Sequence, residues 1–277
     1  MKTRAGDSRT GLVLLQVVLG AVLVFMAAPI LIVVANSFNS SPFNVWPPAG
    51  FTLDWYHKAL TMPQFQRGFV NSVIAGLIST ALVLAVGTPL AYALARRVFR
   101  GKGVLRGVLL GPLVVPRIAI GFSLFVLYVA SGSGLYGTMT GVVLGHSLLM
   151  LPFVVSVLAA NLGEVDPIVE EAARDLGAGP VEAFVRVVLP QIRPGLIVGG
   201  LLAFITSFDE VETTIFLVKP VVNTLPIEMY FYLDQNQDPT LAALSTLLIA
   251  LSMLLVLVGL VFARRGSLRL LLGGRGA

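Results

Sequence analysis

Six apolar blocks, separated by short polar segments, dominate the sequence. Each block has about the 20 residues that an α-helix needs to cross the hydrocarbon core of a membrane. The pattern predicts helices over about 12–35, 69–95, 107–130, 138–161, 196–217 and 240–263. The 46 residues 118–163 carry no formal charge and exceed one span, so we expect the chain to fold back at the serine- and glycine-rich residues 131–134. The sequence therefore predicts an all-α, polytopic membrane protein with six spans.

The composition agrees with this pattern. Of the 277 residues, 56% are hydrophobic and 12% are charged, against about 45–50% and about 25% in soluble domains. An ordinary soluble domain is thereby excluded, and the net charge of +5 is no sign of nucleic-acid binding in a membrane protein. The first block follows Lys2, Arg4 and Arg9, but it exceeds the about 7–15 apolar residues of a signal peptide, which favours a retained helix.

Lysine and arginine are distributed unevenly over the connections between the blocks. If the N-terminus is cytoplasmic, 15 of the 19 cations lie inside, three lie outside and one lies within the third block. The 15 are Lys2, Arg4, Arg9, Arg96, Arg97, Arg100, Lys102, Arg106, Arg174, Arg186, Arg193, Arg264, Arg265, Arg269 and Arg275, whereas Lys58, Arg67 and Lys219 are outside and Arg117 is in the block. Because cationic loops tend to stay inside, we expect both termini to be cytoplasmic.

The connection between the fourth and fifth blocks, about residues 162–195, is far longer than the about 2–8 residues that join helices in a bundle. Asp166 can cap a helix whose first position is Pro167, and Gly177 or Gly179 can end it. A second helix fits about residues 180–188, where Pro190 and the residue before it are expected to stop it. From this pattern alone, a pair of amphipathic helices at the membrane surface remains an alternative to a functional segment.

The same segment carries a recognisable motif. Glu171, Ala172, Ala173, Gly177, Val187, Leu189 and Pro190 match the pattern EAA-x3-G-x9-I-x-LP, with valine in place of the usual isoleucine. The chain thus resembles the permease subunits of binding-protein-dependent ABC importers. The resemblance implies the type I ABC importer permease fold and makes this segment the coupling segment, in which Glu171, Ala172, Ala173, Gly177, Leu189 and Pro190 contact a separate ATPase subunit.

Further stretches are similar to one branch of that family, the spermidine/putrescine permeases. They are residues 36–41 (NSFNSS), 55–56 (WY), 71–72 (NS), 87–96 (GTPLAYALAR), 207–210 (SFDE) and 224–226 (TLP). The resemblance implies three kinds of partner besides membrane lipid: a second permease subunit, two ATPase subunits and an external solute-binding protein. It also implies a bacterial inner-membrane location.

Signs of catalysis by this chain are missing from the sequence. It has no G-x-x-x-x-G-K-[S/T] motif, since Gly101-Lys102-Gly103 lacks the phosphate-binding loop and the following hydroxyl. ATP and Mg²⁺ are therefore expected to act in the partner ATPase. With no cysteine and two histidines, His57 and His146, we expect no metal, no cofactor and no catalytic residue in this chain. His146 is interpreted as a satisfied polar residue of the core.

Four charged residues in the apolar blocks have two interpretations. Asp209, Glu210 and Glu212 are predicted on the fifth helix, in the outer half of the membrane, where carboxylates need a partner or water. Either they pair with Arg117 or mark the outer end of a short helix, or at least Asp209 faces the substrate passage and attracts a cation. We expect Arg117 and Asp209 to be paired or to share a hydrated cavity.

The sequence therefore predicts the membrane-spanning permease of an ATP-driven importer for a small organic solute, a polyamine or a related amine-bearing compound. Arg117 would disfavour a polycation in the passage, so an amino-acid-like zwitterion or an organic acid is the alternative substrate. An intramembrane enzyme using Asp209 and Glu210 as an acid–base pair, or a secondary transporter, is the remote alternative. The substrate and the identity of the second permease do not follow from the sequence.

Overall fold

The computed structural model describes residues 7–273, which are almost entirely helical. The helices are α1 (Asp7–Asn36), α2 (Asp54–Thr61), α3 (Pro63–Arg96), α4 (Lys102–Val114), α5 (Arg117–Ala130), α6 (Met139–Glu164), α7 (Pro167–Asp175), α8 (Pro180–Ala183), a π-helical turn (Phe184–Val188), α9 (Leu189–Gln191), α10 (Arg193–Phe208), α11 (Thr214–Leu217), a 3₁₀ turn (Pro220–Val222), α12 (Leu225–Gln235) and α13 (Thr240–Gly273). Lys2, Arg4 and Arg275, which enter the charge count, lie outside the described residues.

Four of these helices are long and apolar enough to cross a membrane on their own: α1, α3, α6 and α13. Two pairs of shorter helices meet the same criteria when each pair is taken as one bent span, α4 with α5 and residues 180–191 with α10. The spans then number six, in agreement with the six apolar blocks. The predicted reversal after the third block also occurs, because α5 ends at Ala130 and α6 begins at Met139.

The third block is not one continuous helix as predicted. α4 and α5 meet at an angle of 107° around Val115 and Pro116, both of which have extended ψ angles of 133°. Proline disfavours helical geometry in the residue before it, which explains the break. Arg117 therefore begins a new helix instead of lying within a continuous one.

Two units are distinguished within the chain. One comprises the residues up to Met62 together with Tyr232–Ala250, and the other comprises Pro63–Phe231 together with the residues from Leu251 on. In the first unit, Lys58 of α2 forms an ion pair with Asp238, the Nζ and Oδ2 atoms being 2.6 Å apart. The Lys58 ammonium also lies 5.6 Å from the centroid of the Trp55 ring. This cluster fixes α2 against the turn that precedes α13.

In the second unit, α3 and α6 pack along each other, and α10 packs against both. The buried positions of α3 include many small residues, such as Ala75, Ser79 and Ala91, which allow close approach between membrane helices. The main core continues beyond the membrane helices, because Val188 and Ile192 of the 162–195 segment belong to it and are fully buried. The segment therefore shares a core with the spans.

Polar residues near the start of α3 bond to the region before α12. The Asn71 side chain donates to the carbonyl of Asn223 at 2.9 Å, and Ser72 Oγ accepts from the Leu225 N–H at 2.9 Å. Both side chains thus make the hydrogen bonds between elements that are common for polar residues of membrane helices.

Candidate functional site

Helix α7 at the start of the 162–195 segment begins where the sequence predicts. Asp166 Oδ1 accepts a hydrogen bond from the Ile168 N–H at 3.0 Å, and Pro167 occupies the first helical position. The cap satisfies one of the free N–H groups at the helix start, while proline has no N–H to satisfy.

The end of α7 is set by Gly177. Its N–H donates to the Arg174 carbonyl at 2.9 Å, and the N–H of Ala178 donates to the Ala173 carbonyl at 3.1 Å. This pair of bonds is the Schellman motif, which places its glycine in the left-handed region. Gly177 accordingly has a φ of +95°. Of the two glycines that the sequence offers as the end, Gly177 is confirmed.

The two adjacent glutamates of α7 have different surroundings. Glu171 and Ala172 are exposed and Ala173 is partly exposed, so these three residues of the motif are available to a partner protein. Glu170 is only 7% exposed. Its Oε1 atom accepts a hydrogen bond from the Tyr92 hydroxyl of α3.

The basic C-terminal end of α3 makes further contacts with the 162–195 segment. The ring of Tyr92 packs edge-on against Phe184, with the ring centroids 4.9 Å apart. Arg96 donates a hydrogen bond to the carbonyl of Val165. Three contacts, together with the shared core, therefore attach the segment to the membrane helices.

Several large apolar side chains of the segment are exposed within this chain. Leu176 is 90% exposed, and Ile168 and Val181 are also largely exposed. Large apolar side chains this exposed indicate an interaction surface. In the sequence, Leu176 directly precedes the motif residue Gly177.

The predicted helix stop at Leu189 and Pro190 is wrong. The chain stays helical through both residues, and the bend of 73° comes after Gln191, before α10. The π-helical turn Phe184–Val188 precedes them, with the Leu189 N–H bonded to the Phe184 carbonyl five residues earlier. The wider turn shifts the hydrogen-bonding pattern, so that the missing N–H of Pro190 is tolerated.

The fifth span also ends earlier than predicted. α10 stops at Phe208, and Asp209, Glu210 and Glu212 lie in the break before α11 instead of on a helix. Polar side chains satisfy the backbone groups that this break frees. Glu210 Oε1 accepts from the Thr213 N–H at 3.0 Å.

The ion pair that Arg117 forms is with Glu210, one of the three carboxylates that the sequence offers as its partner; it is not with Asp209, for which pairing or a shared hydrated cavity is expected. Arg117 Nη1 lies 2.9 Å from Glu210 Oε2, and the side chains are 50% and 1% exposed, respectively. Thr213 Oγ1 adds a bond of 3.1 Å to the Arg117 carbonyl. A Cβ atom on Gly121 would lie 2.7 Å from the Cα of Thr213, so only glycine allows α5 to approach this closely.

Asp209 and Glu212 are both exposed. Asp209 lies close enough to Arg117 to interact electrostatically. The break between α10 and α11, residues 209–213, thus carries three carboxylates, and the Arg117 guanidinium of α5 lies beside them. The guanidinium is paired with the buried carboxylate of Glu210. Two exposed negative charges remain.

His146 of α6 forms hydrogen bonds to residues on both sides of the break between α10 and α11. It is fully buried, with Nδ1 2.7 Å from Ser207 Oγ and Nε2 2.8 Å from Thr214 Oγ1. Because Thr214 Oγ1 donates to the Glu210 carbonyl, it accepts from His146, whose proton is therefore on Nε2. His146 is the satisfied core residue that the sequence predicts, and it also connects the end of α10 to α11.

The structure brings forward three residues that sequence reasoning missed as parts of these sites: Tyr92, Glu170 and Thr213. The sequence does not distinguish Glu170 from Glu171, because an acidic residue in the first turn of a helix interacts favourably with the helix dipole whether it is buried or exposed. Tyr92 is 78 residues away from its partner, and nothing in the sequence connects the two. Within the described part of the chain, no group of three His, Asp or Glu residues could hold a metal ion.

Comparison with known proteins decides the family. The model of the family described as binding-protein-dependent transport system inner membrane component matches residues 86–267, which contain both the segment and the break. The chain belongs to this family. It is accordingly a non-catalytic permease subunit of an ABC importer, a multi-pass protein of the inner membrane whose ATPase is a separate subunit.

Individual relatives of this permease cover most of its length. It is 31% identical over 245 residues to the spermidine/putrescine transport system permease protein PotC of Escherichia coli K12, covering 88% of this chain and 91% of that protein. It is 34% identical over 233 residues to the putrescine transport system permease protein PotI of the same strain, covering 81% and 82%.

A solved structure has the same fold. A chain of the bacterial alginate ABC transporter, crystallised in complex with a pentasaccharide-bound periplasmic protein, superposes with a TM-score of 0.73 at 16% sequence identity, covering 95% of this permease and 98% of that chain. The type I importer fold is thereby confirmed. The partners of such a permease are a second permease subunit, two ATPase subunits and a solute-binding protein.

Proposed function

We propose that this permease carries a polyamine or a related amine-bearing solute across the inner membrane. Two relatives that match more than four-fifths of the chain are named for spermidine and putrescine transport. The observation that carries the proposal is the charge balance at the break after α10. Asp209 and Glu212 are exposed there, while the Arg117 guanidinium is bound to Glu210.

The pairing removes the objection that Arg117 raises in the sequence. A free arginine in the passage would repel a polycation by several kcal/mol at close range and low dielectric. Its charge is instead balanced by a carboxylate 2.9 Å away. The net charge of the four groups is then −2, which favours a solute with two or more ammonium groups.

A zwitterion or an organic acid with an amine is the second candidate substrate. The specific observation in its favour is that half of the Arg117 side chain is exposed. The remaining N–H groups of its guanidinium would donate hydrogen bonds to the carboxylate of such a solute while Asp209 binds the amine.

We further propose that residues 162–195 couple this permease to its ATPase. The exposed motif residue Glu171 and the apolar side chains of Leu176 and Val181 would dock in a groove of the ATPase subunit, where ATP and Mg²⁺ are bound. ATP binding would close the ATPase pair and move the segment. The Tyr92–Glu170 bond and the shared core would pass that movement to α3 and α6, opening the passage to the solute-binding protein.

The proposed topology places both termini and residues 162–195 in the cytoplasm, and residues 36–67 and 218–239 outside. The support is the uneven distribution of cations. Because the chain has no cysteine, single cysteines can be introduced at Ala178 and at Ser131. An impermeant thiol reagent should label the variant at Ser131 from outside and the variant at Ala178 only after the membrane is opened. The reverse pattern would contradict the topology.

The substrate proposal is tested by uptake of labelled spermidine and putrescine into proteoliposomes that contain the whole importer. The double variant Asp209→Asn, Glu212→Gln should raise the KM for both amines about tenfold per lost ammonium contact, since tenfold corresponds to about 1.4 kcal/mol. Asp54→Asn, an equal kind of charge change on exposed α2, is the matched control. Unchanged uptake of both amines by the double variant, or transport of acidic solutes alone, would contradict the proposal.

A further inference from the structure

A cavity of about 390 Å³ lies between the end of α3, residues 102–110 of α4 and the second half of α6. This volume is in the range of small-molecule pockets. Eight of the eleven residues that line the cavity are apolar, among them Leu94, Leu109 and Ala160. Neither the 162–195 segment nor the break after α10 contributes a residue to the lining of this cavity.

Two cations, Lys102 and Arg106, lie at the edge of this apolar cavity. They are four residues apart on α4, and like charges at this spacing on a helix repel each other. The Lys102 ammonium donates to the Arg97 carbonyl at 3.0 Å. Among the residues that the structure describes, neither cation has an acidic side chain within ion-pair distance. The geometry therefore favours an anion between them.

Helix α4 is largely uncovered. It has no buried residue, and Val104 and Val108 are 72% and 69% exposed. It follows the basic residues Arg96, Arg97 and Arg100 directly, so the cavity lies where the basic connection meets the apolar spans. In a membrane protein, that position is at the level of the lipid head groups.

We propose that this cavity binds an anionic phospholipid. The phosphate of its head group lies between Lys102 and Arg106, and one acyl chain covers the apolar wall formed by α3, α4 and α6. A free inorganic or nucleotide phosphate would satisfy the two cations but would leave the apolar wall exposed. A phospholipid satisfies both halves of the site, because each cation near an anionic head group adds to its affinity.

The experiment uses the complete importer, purified in mild detergent from membranes that contain phosphatidylethanolamine, phosphatidylglycerol and cardiolipin. Retained lipids are identified and counted by native mass spectrometry. The variant Lys102→Gln, Arg106→Gln should retain anionic phospholipid roughly thirtyfold more weakly, as expected for the loss of two cations at a lipid head group. The charge-matched control is Arg97→Gln, Arg100→Gln, which removes two cations of the same connection that do not line the cavity and should leave retention unchanged.

A second variant separates a lipid from a free anion. Ala160→Phe fills the apolar wall from an exposed lining position and leaves both cations in place. It should also lose the lipid, whereas binding of inorganic phosphate at the two cations would survive it. Equal lipid retention in the Lys102/Arg106 variant and in its control would overturn the proposal. So would lipid retention that Ala160→Phe leaves intact, or loss of a protein subunit from the complex without loss of lipid.

Discussion

The ion pair between Arg117 and Glu210 makes the sharpest prediction, because the sequence leaves open which carboxylate pairs with Arg117 and the structure assigns Glu210. We consider Arg117→Ala, Glu210→Gln and the double variant as one double-mutant cycle. Arg117→Ala leaves the Glu210 carboxylate, 1% exposed, with the Thr213 N–H as its remaining donor. Glu210→Gln removes the charge but keeps an oxygen that can accept from Thr213.

The magnitude follows from the exposure of the two side chains. Two unit charges about 4 Å apart interact by about 1 kcal/mol in water and about 4 kcal/mol at the effective dielectric near a protein surface. Because half of the Arg117 side chain is in contact with solvent, water screens the pair and the coupling energy should be about 1–3 kcal/mol. Arg117→Ala should therefore be more destabilising than the double variant, which no longer buries an unpaired charge.

The assay is denaturant unfolding of the purified importer, with uptake measured in parallel. The second cycle, Arg117→Ala with Asp209→Asn, is the internal control. Asp209 is exposed and interacts with Arg117 electrostatically without an ion pair among the described residues, so the coupling energy of this cycle should be smaller than that between Arg117 and Glu210.

Two results would refute this reasoning. One is a coupling energy below about 0.5 kcal/mol between Arg117 and Glu210. The other is a larger coupling with Asp209 than with Glu210, which would mean that the guanidinium points to the neighbouring carboxylate in the working protein. In either case the assignment of Glu210 as the partner of Arg117, and with it of Asp209 and Glu212 as the two unpaired carboxylates, would lose its basis.

Three further predictions concern other parts of the chain. Gly177→Val should cost about 1–2 kcal/mol through its φ of +95° and reduce substrate-stimulated ATP hydrolysis, whereas Gly179→Val, at φ −65° and also in open space, should not; equal loss in both would contradict it. Tyr92→Phe removes the donor to the buried carboxylate of α7 and should lower the uptake per ATP hydrolysed; an unchanged ratio would count against coupling through α3. Burial raises the pKa of Asp238, but hydrogen bonds from Lys58, Thr240 and Tyr232 together have a larger effect and lower this pKa below 3.8. The melting temperature should therefore fall less between neutral pH and pH 3 in Asp238→Asn than in the parent protein. Identical pH profiles of the two proteins would refute this.

The sign of the last effect follows from linkage. A carboxyl group whose pKa is lowered on folding stabilises the fold above the pKa of the unfolded chain, and this contribution is lost as the pH falls through the folded pKa. Burial lowers the pKa of Lys58. The hydrogen bonds and charges of Asp238 and Tyr232 together have a larger effect and raise the Lys58 pKa above 10.5. The ion pair is therefore formed throughout the neutral range. Because 41% of the Lys58 side chain is exposed, the contribution is at most about 1 kcal/mol.

Local signals in the sequence were sufficient for the start and end of α7. A capping aspartate, a proline at the first helical position and a glycine at the end each act through atoms within five residues of each other. The six membrane spans could also be predicted from the apolar blocks, because the length of a span is set by the thickness of the bilayer and not by the partners of each helix. These features predict the fold class and the position of the segment without any knowledge of long-range contacts.

The partners of buried polar groups could not be predicted in the same way. Glu210 and Asp209 are neighbours in the sequence, and which of them meets Arg117 depends on where α10 ends. That end depends in turn on His146, 61 residues before Ser207, and on Thr213, whose N–H the Glu210 side chain accepts. The three carboxylates of residues 209–212 allow a short helix that ends before them, which is what α10 does, but they do not indicate which of them pairs with Arg117.

The two sites are connected by a single helix. α10 begins directly after the bend near the end of the 162–195 segment and ends at the break, and its 16 residues span about 24 Å. Ile192, buried in the core at one end, and Ser207, bonded to His146 at the other, fix both ends against α6. Under the proposed coupling, a displacement of the segment by the ATPase would act on α10 as a whole and so on the break at its end. Because Glu210 of the break is paired with Arg117 of α5, the same displacement would also act on α5.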